Sequence, residues 1–414
     1  MTPPLEPGSA GALLTASRAE ELSRHRHGRV IWILAGEASG DVIGARLMQA
    51  LHARDPSLVF AGVGGGRMEA LGLRSLFPMS DLAVMGLVEV LPRIRFLSQR
   101  LLEAVKDIEL RRPDLVLTID SPGFTLRLLR RIEYMGIRRL HYVAPQVWAW
   151  REKRVAEFPG LWDRLLCLLP FEPEWFAQRG IEARFVGHPV LQSGVRQGDA
   201  RRFRLRHNIP ENAPILILMP GSRRSEVPRL LPIFQKMVKI LRVRFPDLCP
   251  VIPIAPVIAP TVRHLIRKWP NQPYVVTDIH DKHDAFAAAH CALTKSGTST
   301  LELAMGGVPM AVTYRVNPVT AGFARRLIKV PYVAMINLLA GREVVPEMLQ
   351  ENCTPQKLAD VVTLLLTDAA AAEKQRTAFQ QILETLAPPV GTPADAAAAE
   401  VFDLLASPVA PPAS

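Results

Sequence analysis

The sequence has few cysteines and no long hydrophobic segment. Its four cysteines are too widely spaced for a zinc site or a disulfide framework, so a reducing cytosol is expected. The longest uncharged run, Leu248–Val262, contains four prolines and is shorter than the ~20 residues of a membrane span. Residues 1–28 lack the apolar core of a signal peptide. They and the Pro-rich residues 407–414 are expected to be disordered tails.

The chain has fewer acidic than basic residues. The chain has 39 Asp and Glu against 50 Lys and Arg, a net charge of +11 and a pI near 9.8. This charge favours phosphorylated small molecules, an anionic membrane surface or nucleic acid as partners. Aromatic residues are only 6% of the chain and do not alternate with basic ones, as they do in base-stacking surfaces. No nucleic-acid partner is therefore expected.

One pattern occurs in both halves of the sequence: a short apolar strand, a turn of small and acidic residues, and a helix. It reads RVIWILAGEASGDVIGARLM at Arg29–Met48 and PILILMPGSRRSEV at Pro214–Val227. Such a turn directs unpaired backbone N–H groups toward one point, which suits a phosphate or carboxylate. Further apolar runs alternate with helical stretches. We therefore predict two stacked α/β domains, each with a parallel sheet, and a ligand cleft between them.

The length of 414 residues allows two domains of about 150 to 200 residues each. The expected divisions are a first domain at 29–191, a basic linker at 192–207, a second domain at 208–374 and a helical segment at 375–406 that could pack back on the first domain. Functional residues should lie where the strands end, because ligands of parallel sheets bind outside the carboxyl ends.

The first turn, GEASGD, does not have the glycine spacing of a dinucleotide fingerprint. Gly36 and Ser39 are candidate substrate-binding residues, and Glu37 and Asp41 are candidate bases or ligands of a sugar hydroxyl. The alternative is a tight turn in which Ser39 or Asp41 caps the helix.

Two turns of the second half are candidate phosphate sites. PGSRRSEV lacks the lysine of a P-loop, but its small residues and first arginine could hold a diphosphate. KSGTSTLELA places a carboxylate one turn into a helix, where it could accept two ribose hydroxyls. Simple helix capping is the alternative for both. The candidates are Gly221, Ser222, Arg223, Ser296, Gly297, Thr298 and Glu302.

Three further features lie in the first half. Asp120 follows an apolar strand and is either a cleft residue or a turn former. Trp148 and Trp150 could stack on a sugar if their segment is extended, or belong to the core. His188 is a cleft residue or a turn histidine.

Two stretches, Leu82–Val105 and Gly322–Val330, mix apolar and basic residues. Most such helices are core helices, but in a basic protein they also fit docking on a membrane surface.

Several of these motifs, taken in order, resemble the lipid-A-disaccharide synthase family. They are LAGEASGD, YVAPQVWAWREKRV, FVGHP, LMPGSRRSEV, KSGTSTLELA and INLLAGREVVPE. The resemblance implies a glycosyltransferase of the GT-B type, with two Rossmann-like domains facing each other across a cleft. Such an enzyme uses no metal or cofactor and inverts the anomeric centre. Its substrates would be UDP-2,3-diacylglucosamine and 2,3-diacylglucosamine 1-phosphate, and its products the β-1,6 disaccharide of lipid A and UDP. Its place would be cytoplasmic, peripheral on the inner membrane of Gram-negative bacteria.

The resemblance also implies roles for single residues. Asp120 would be the general base, and UDP would contact Ser222, Arg223, Ser296, Glu302, Asn337 and Arg342. Gly341 is a further candidate substrate-binding residue. The family often has a second Asp where this chain has Gly123, so that carboxylate has no counterpart here. Two alternatives stay open: a soluble UDP-sugar enzyme such as a UDP-N-acetylglucosamine 2-epimerase, and a non-enzymatic binding protein. The oligomeric state also stays open, with a homodimer as one candidate.

Overall fold

The computed structural model of the protein describes residues 28–82, 93–150, 152–221, 226–315 and 330–407, with only the backbone of Trp150. The strands are β1 Val30–Ala35, β2 Val59–Val63, β3 Leu115–Ile119, β4 Arg138–Tyr142, β5 Arg164–Cys167, β6 Ala183–Phe185, β7 Ile215–Met219, β8 Cys249–Pro253, β9 Tyr274–Val276, β10 Cys291–Lys295, β11 Met310–Tyr314 and β12 Glu347–Leu349. The helices are α1 Ala38–Arg54, α2 Gly66–Glu69, α3 Ile94–Arg111, α4 Pro122–Arg131, α5 Val147–Trp150, α6 Glu172–Ala177, α7 Ala200–Arg206, α8 Val227–Arg244, α9 Ala259–Ile266, α10 Ile279–Ala288, α11 Ser299–Met305, α12 Met335–Ala340, α13 Pro355–Thr367, α14 Ala369–Thr385 and α15 Pro393–Ala406.

The first unit contains a parallel sheet of six strands in the order β2-β1-β3-β4-β5-β6. Strand β1 is buried on both faces, which explains its continuous apolar sequence VIWILA. Ile31 and Ile33 pack on one face with residues of α1 and α15, whereas Trp32 and Leu34 pack on the other with residues of α3 and α4. The indole N–H of Trp32 donates to the Asp107 carboxylate of α3 at 3.0 Å, so the polar atom of this buried side chain is hydrogen-bonded.

The second unit repeats this design, with the parallel order β12-β11-β10-β7-β8-β9. Its core joins β7, β8 and β10 to α8, α9 and α13. The prediction of an α/β fold with two parallel sheets is therefore confirmed. In the described part of the chain, no helix has both the length and the apolar character needed to cross a membrane.

The segment that the sequence suggested as a linker, 192–207, folds as part of the second unit and contains α7. Phe203 is fully buried, and the Arg202 guanidinium donates to the Asp284 carboxylate of α10 at 2.6 Å. Arg206 and His207 bind Asp281. Two of the arginines that suggested a linker, Arg202 and Arg206, thus pair with carboxylates that lie some eighty residues later.

The C-terminal helices divide between the two units. Helix α14 belongs to the second unit, where the Gln375 amide bonds both the N–H and the carbonyl of Met310. Residues from Pro388 onward belong to the first unit, where α15 packs on α1. Arg164 of β5 binds Glu400 and Asp403 of α15 at 2.8 and 2.6 Å. Only the last helix of the expected 375–406 segment therefore returns to the first unit.

Candidate functional site

Asp120 lies in a strained turn at the carboxyl end of β3. Both Asp120 and Ser121 have positive φ angles, 53° and 49°, in a region that residues other than glycine rarely adopt. The turn is held by Thr125 of α4, whose hydroxyl donates to the carbonyls of Asp120 and Ser121 at 2.9 and 3.1 Å. The Ser121 N–H donates to the Asp120 carboxylate at 2.7 Å and orients it. Backbone strain supported by several hydrogen bonds is typical of functional sites.

The surroundings of Asp120 suit a proton acceptor. Burial raises the pKa of its carboxyl, and the hydrogen bond from the Ser121 N–H opposes this shift only in part. A carboxylate with a raised pKa accepts a proton more readily than a solvated one. Gly123, in the first turn of α4, has open space where a side chain would project. The acid that the family often has at this position is absent, and no heavy atom of the described residues lies within 4 Å of where its Cβ would be.

The GEASGD turn lies beside Asp120 because β1 and β3 are neighbours, with Ala35 paired to Ile119. A Cβ atom on Gly36 would lie 2.3 Å from the Ser121 hydroxyl oxygen, so only glycine allows the two turns to pack this closely. Glu37 is half-buried at the N-cap position of α1, and Ser39 is exposed in its first turn. Gly36, Glu37 and Asp120 thus share one edge of the first sheet.

Asp41 has a structural role in place of the catalytic one that the sequence suggested. Its carboxylate is 6% exposed and accepts hydrogen bonds from the backbone N–H groups of Gly65, Arg67 and Met68 at 2.9 to 3.1 Å. These bonds hold the start of α2 against α1.

The tryptophan loop is not extended. Residues 147–150 form the short helix α5, in which side chains two residues apart point in nearly opposite directions. Trp148 is buried, and the side chain of Trp150 lies outside the described residues. The segment therefore lacks the extended backbone on which the predicted shared stacking face depended. His188 is also buried, and burial lowers its pKa to about 4, so its imidazole is neutral at physiological pH.

In the second unit, the PGSRRSEV turn leaves β7 through Gly221, which has a φ of +112°. Ser222 and Arg223 lie outside the described residues. The turn ends at Glu226, the N-cap residue of α8. The Lys295 ammonium donates to the Glu226 carboxylate at 2.7 Å, and both side chains are largely buried. Neither residue was predicted as a site residue, although both belong to the motifs quoted above.

The KSGTST turn follows β10. The Ser296 hydroxyl donates to the Val333 carbonyl at 2.5 Å, whereas Gly297 and Thr298 are exposed. The Glu302 carboxylate forms an ion pair with the Lys282 ammonium at 2.8 Å, and both side chains are partly exposed. Strands β7 and β10 are neighbours, with Thr294 paired to Met219. The two candidate phosphate turns therefore lie side by side at one edge of the second sheet.

Asn337 binds the protein itself rather than presenting its amide to a ligand. The side chain is fully buried; its oxygen accepts from the N–H groups of Val344 and Val345, and its nitrogen donates to the Val345 carbonyl and to Glu347. These bonds use all four of its hydrogen-bonding positions. The structure therefore corrects the expected UDP contact: Asn337 fixes the loop before β12.

Arg342 follows the C-terminal end of α12. It follows Gly341, whose φ of +63° ends α12 in the left-handed conformation that glycine adopts readily. Arg342 lines a cavity of about 180 Å³ together with residues of α13 and α14, including Leu364, Leu365 and Lys374. Among the described candidate residues, Arg342 alone is in the lining of this cavity.

Comparison with known proteins identifies the family. The model of the lipid-A-disaccharide synthetase family matches residues 31–401. A lipid-A-disaccharide synthase of Gluconobacter oxydans is 80% identical over 404 residues, which cover 98% of this chain and 97% of that protein.

Two solved structures share the fold. The glycotransferase of kitacinnamycin has a TM-score of 0.60 at 17% identity, covering 92% of this chain and 99% of its own. The UDP-GlcNAc 2-epimerase of Neisseria meningitidis has a TM-score of 0.57 at 14% identity, covering 86% and 99%. The fold alone therefore does not distinguish transferase from epimerase, but the family model and the identity to the synthase do. The chain belongs to the lipid-A-disaccharide synthase family and is a glycosyltransferase.

Proposed function

We propose that the protein transfers 2,3-diacylglucosamine from UDP-2,3-diacylglucosamine to 2,3-diacylglucosamine 1-phosphate, with inversion at the anomeric carbon. The acceptor's 6-hydroxyl oxygen forms the new β-1,6 bond as the bond to UDP breaks. The leaving group carries away the electron pair of the broken bond, and the hydroxyl proton goes to a general base. These two substrates are more specific than the family's name.

The observation that carries this proposal is the setting of Asp120. Its carboxylate lies at the carboxyl end of a parallel strand, in a strained turn held by Thr125, and burial raises its pKa. A general base must be ionised to accept the proton, and the raised pKa makes the ionised Asp120 carboxylate a stronger base than a solvated one. Glu37, on the same sheet edge, is the second candidate for this role.

The UDP moiety is assigned to the second unit. Gly221 and the adjacent Ser222 and Arg223 are proposed to face the diphosphate, with backbone N–H groups and a forked guanidinium as donors. Gly297 and Glu302 belong to the neighbouring turn. In a nucleotide that binds across both turns, the ribose hydroxyls would donate hydrogen bonds to the Glu302 carboxylate. The adjacency of β7 and β10 supports this assignment.

The direct test is transfer by the purified protein. Incubation with UDP-2,3-diacylglucosamine and 2,3-diacylglucosamine 1-phosphate should release UDP and yield a disaccharide 1-phosphate in equal amounts, measured by mass spectrometry. UDP-N-acetylglucosamine alone is the control. Its conversion to the 2-epimer, without transfer to the acylated acceptor, would contradict the proposal and favour the epimerase alternative.

We also propose that the protein docks on an anionic membrane, since both substrates carry acyl chains. Helix α3 begins beside basic residues and leaves Ile94 and Leu102 exposed by 44% and 46%, whereas Leu101 and Val105 of the same helix are buried. Residues 83–92 and 316–329, which include most of the basic and apolar positions that suggested docking, lie outside the described residues.

Liposome binding tests this docking. Basic residues contribute about 1 kcal/mol each near an anionic surface and are screened by salt, whereas inserted apolar side chains are not. Binding should therefore weaken but persist at high salt. The double change Ile94→Ser and Leu102→Ser should remove the salt-resistant part, and Val243→Ser, at an 86% exposed position of the second unit, should not. No binding to anionic liposomes at low salt would contradict the docking proposal.

A further inference from the structure

An ion pair joins the two turns that are assigned to the diphosphate. Lys295 is the last residue of β10, and its ammonium lies 2.7 Å from the carboxylate of Glu226, at the start of α8. The two side chains are 17% and 13% exposed, so water screens them less than a surface pair. The pair lies where the chain leaves two neighbouring strands.

Glu226 lies directly against Gly221. A Cβ atom on Gly221 would be 2.3 Å from a carboxylate oxygen of Glu226, and the φ of +112° itself requires glycine. The carboxylate also occupies the amino end of an eighteen-residue helix, where the dipole favours negative charge. An anionic ligand brought to Gly221 would therefore meet a fixed negative charge that competes with it for the same helix end.

We propose that Lys295 is a positioning residue that neutralises Glu226, so that the Gly221 turn can accept the diphosphate of the nucleotide sugar. This inference rests on the proposed binding of UDP by the second unit. Lys295 acts through Glu226 rather than as a phosphate ligand itself. The pair also fixes the end of the Gly221 turn relative to the Ser296 turn, because Lys295 and Ser296 are adjacent in sequence.

Neutral variants separate this role from direct phosphate contact. Lys295→Met keeps the apolar stem and removes the charge, and should weaken UDP binding tenfold or more in calorimetric titration. Glu226→Gln should bind UDP at least as tightly as the unchanged protein. The double variant should bind UDP within about threefold of the unchanged protein, because the carboxylate that Lys295 neutralises is gone.

Two controls complete the test. Uridine, which has no phosphate, should bind equally well to all four proteins by ligand-observed NMR, and Lys295→Arg should retain UDP affinity.

A double variant as weak as Lys295→Met would overturn the proposal and make Lys295 a direct phosphate ligand. An equal loss of uridine binding in Lys295→Met would overturn it in favour of a general structural defect. If Lys295→Met does not fold, comparison of the double variant with Glu226→Gln decides, since equal affinities support the proposal and a weaker double variant contradicts it. Failure of the unchanged protein to bind UDP would instead contradict the proposed function.

Discussion

Replacing Asp41 by alanine should destabilise the first unit without removing a catalytic group. In the folded protein the Asp41 carboxylate joins α1 to the start of α2 through the N–H groups of Gly65, Arg67 and Met68. Alanine keeps the helix propensity of α1 but provides no acceptor for these three donors.

The size of the effect follows from what happens to each donor. The Met68 N–H is buried and loses its partner, which costs about 1 to 3 kcal/mol. The N–H groups of Gly65 and Arg67 are partly exposed, so water replaces the carboxylate there and each loss is about 0.5 to 1 kcal/mol. The total is about 3 kcal/mol, which lowers the Tm of a domain of this size by about 6 to 12 °C.

Differential scanning calorimetry measures the change, and turnover is measured below the transition. We expect Asp41→Ala to melt earlier while keeping most of its kcat. Asp55→Ala is the matched control: Asp55 lies at the other end of α1 and its carboxylate accepts from the N–H and hydroxyl of the exposed Ser57, so its loss should shift the Tm little. An unchanged Tm together with a hundredfold loss of kcat in Asp41→Ala would refute the structural assignment and return Asp41 to the catalytic candidates.

Two other predictions follow from buried polar side chains. Burial lowers the pKa of His141 to about 3 and that of His188 to about 4. Below the unfolded pKa of about 6.5, the unfolded chain therefore binds protons that the folded chain does not. The free energy of unfolding should fall as the pH drops from 6.5 toward 4, by up to about 2.7 kcal/mol per pH unit for the two groups together. Urea unfolding at several pH values measures this, and a slope that His141→Gln leaves unchanged would contradict it. Asn337→Leu should cost about 2 to 4 kcal/mol and accelerate hydrogen exchange at Val344 and Val345, because their N–H groups lose the amide oxygen; unchanged exchange there would refute this account.

The sequence predicts β1 and β7 well because their residues form continuous apolar runs, buried almost throughout, within the two quoted patterns. Three strands were not predicted. Strand β5 is buried but has only four residues, whereas β6 and β12 have three residues each, none of them buried, and lie at sheet edges. Periodicity carries little information over three residues.

The candidate site was predictable where the chemistry is local and not where it depends on distant partners. Asp120 could be placed because a strand end and a turn are visible in sequence. The structural roles of Asp41 and Asn337 depend on backbone N–H groups of other loops, which residue types do not indicate. Lys295 and Glu226 are 69 residues apart, and only the pairing of β7 with β10 brings them together. A helical turn at Trp148 was missed because aromatic residues have no strong helix preference.

The central claim is that Asp120 takes the proton of the acceptor hydroxyl, and Asp120→Asn tests it most directly. The amide keeps the shape of the side chain but cannot accept the proton as a carboxylate does. Turnover of UDP-2,3-diacylglucosamine with the lipid acceptor should fall by about 10²- to 10⁴-fold, while UDP binding by calorimetry stays nearly unchanged. A variant that keeps more than half of the original kcat would contradict the account, make Asp120 a turn residue and leave Glu37 as the candidate base.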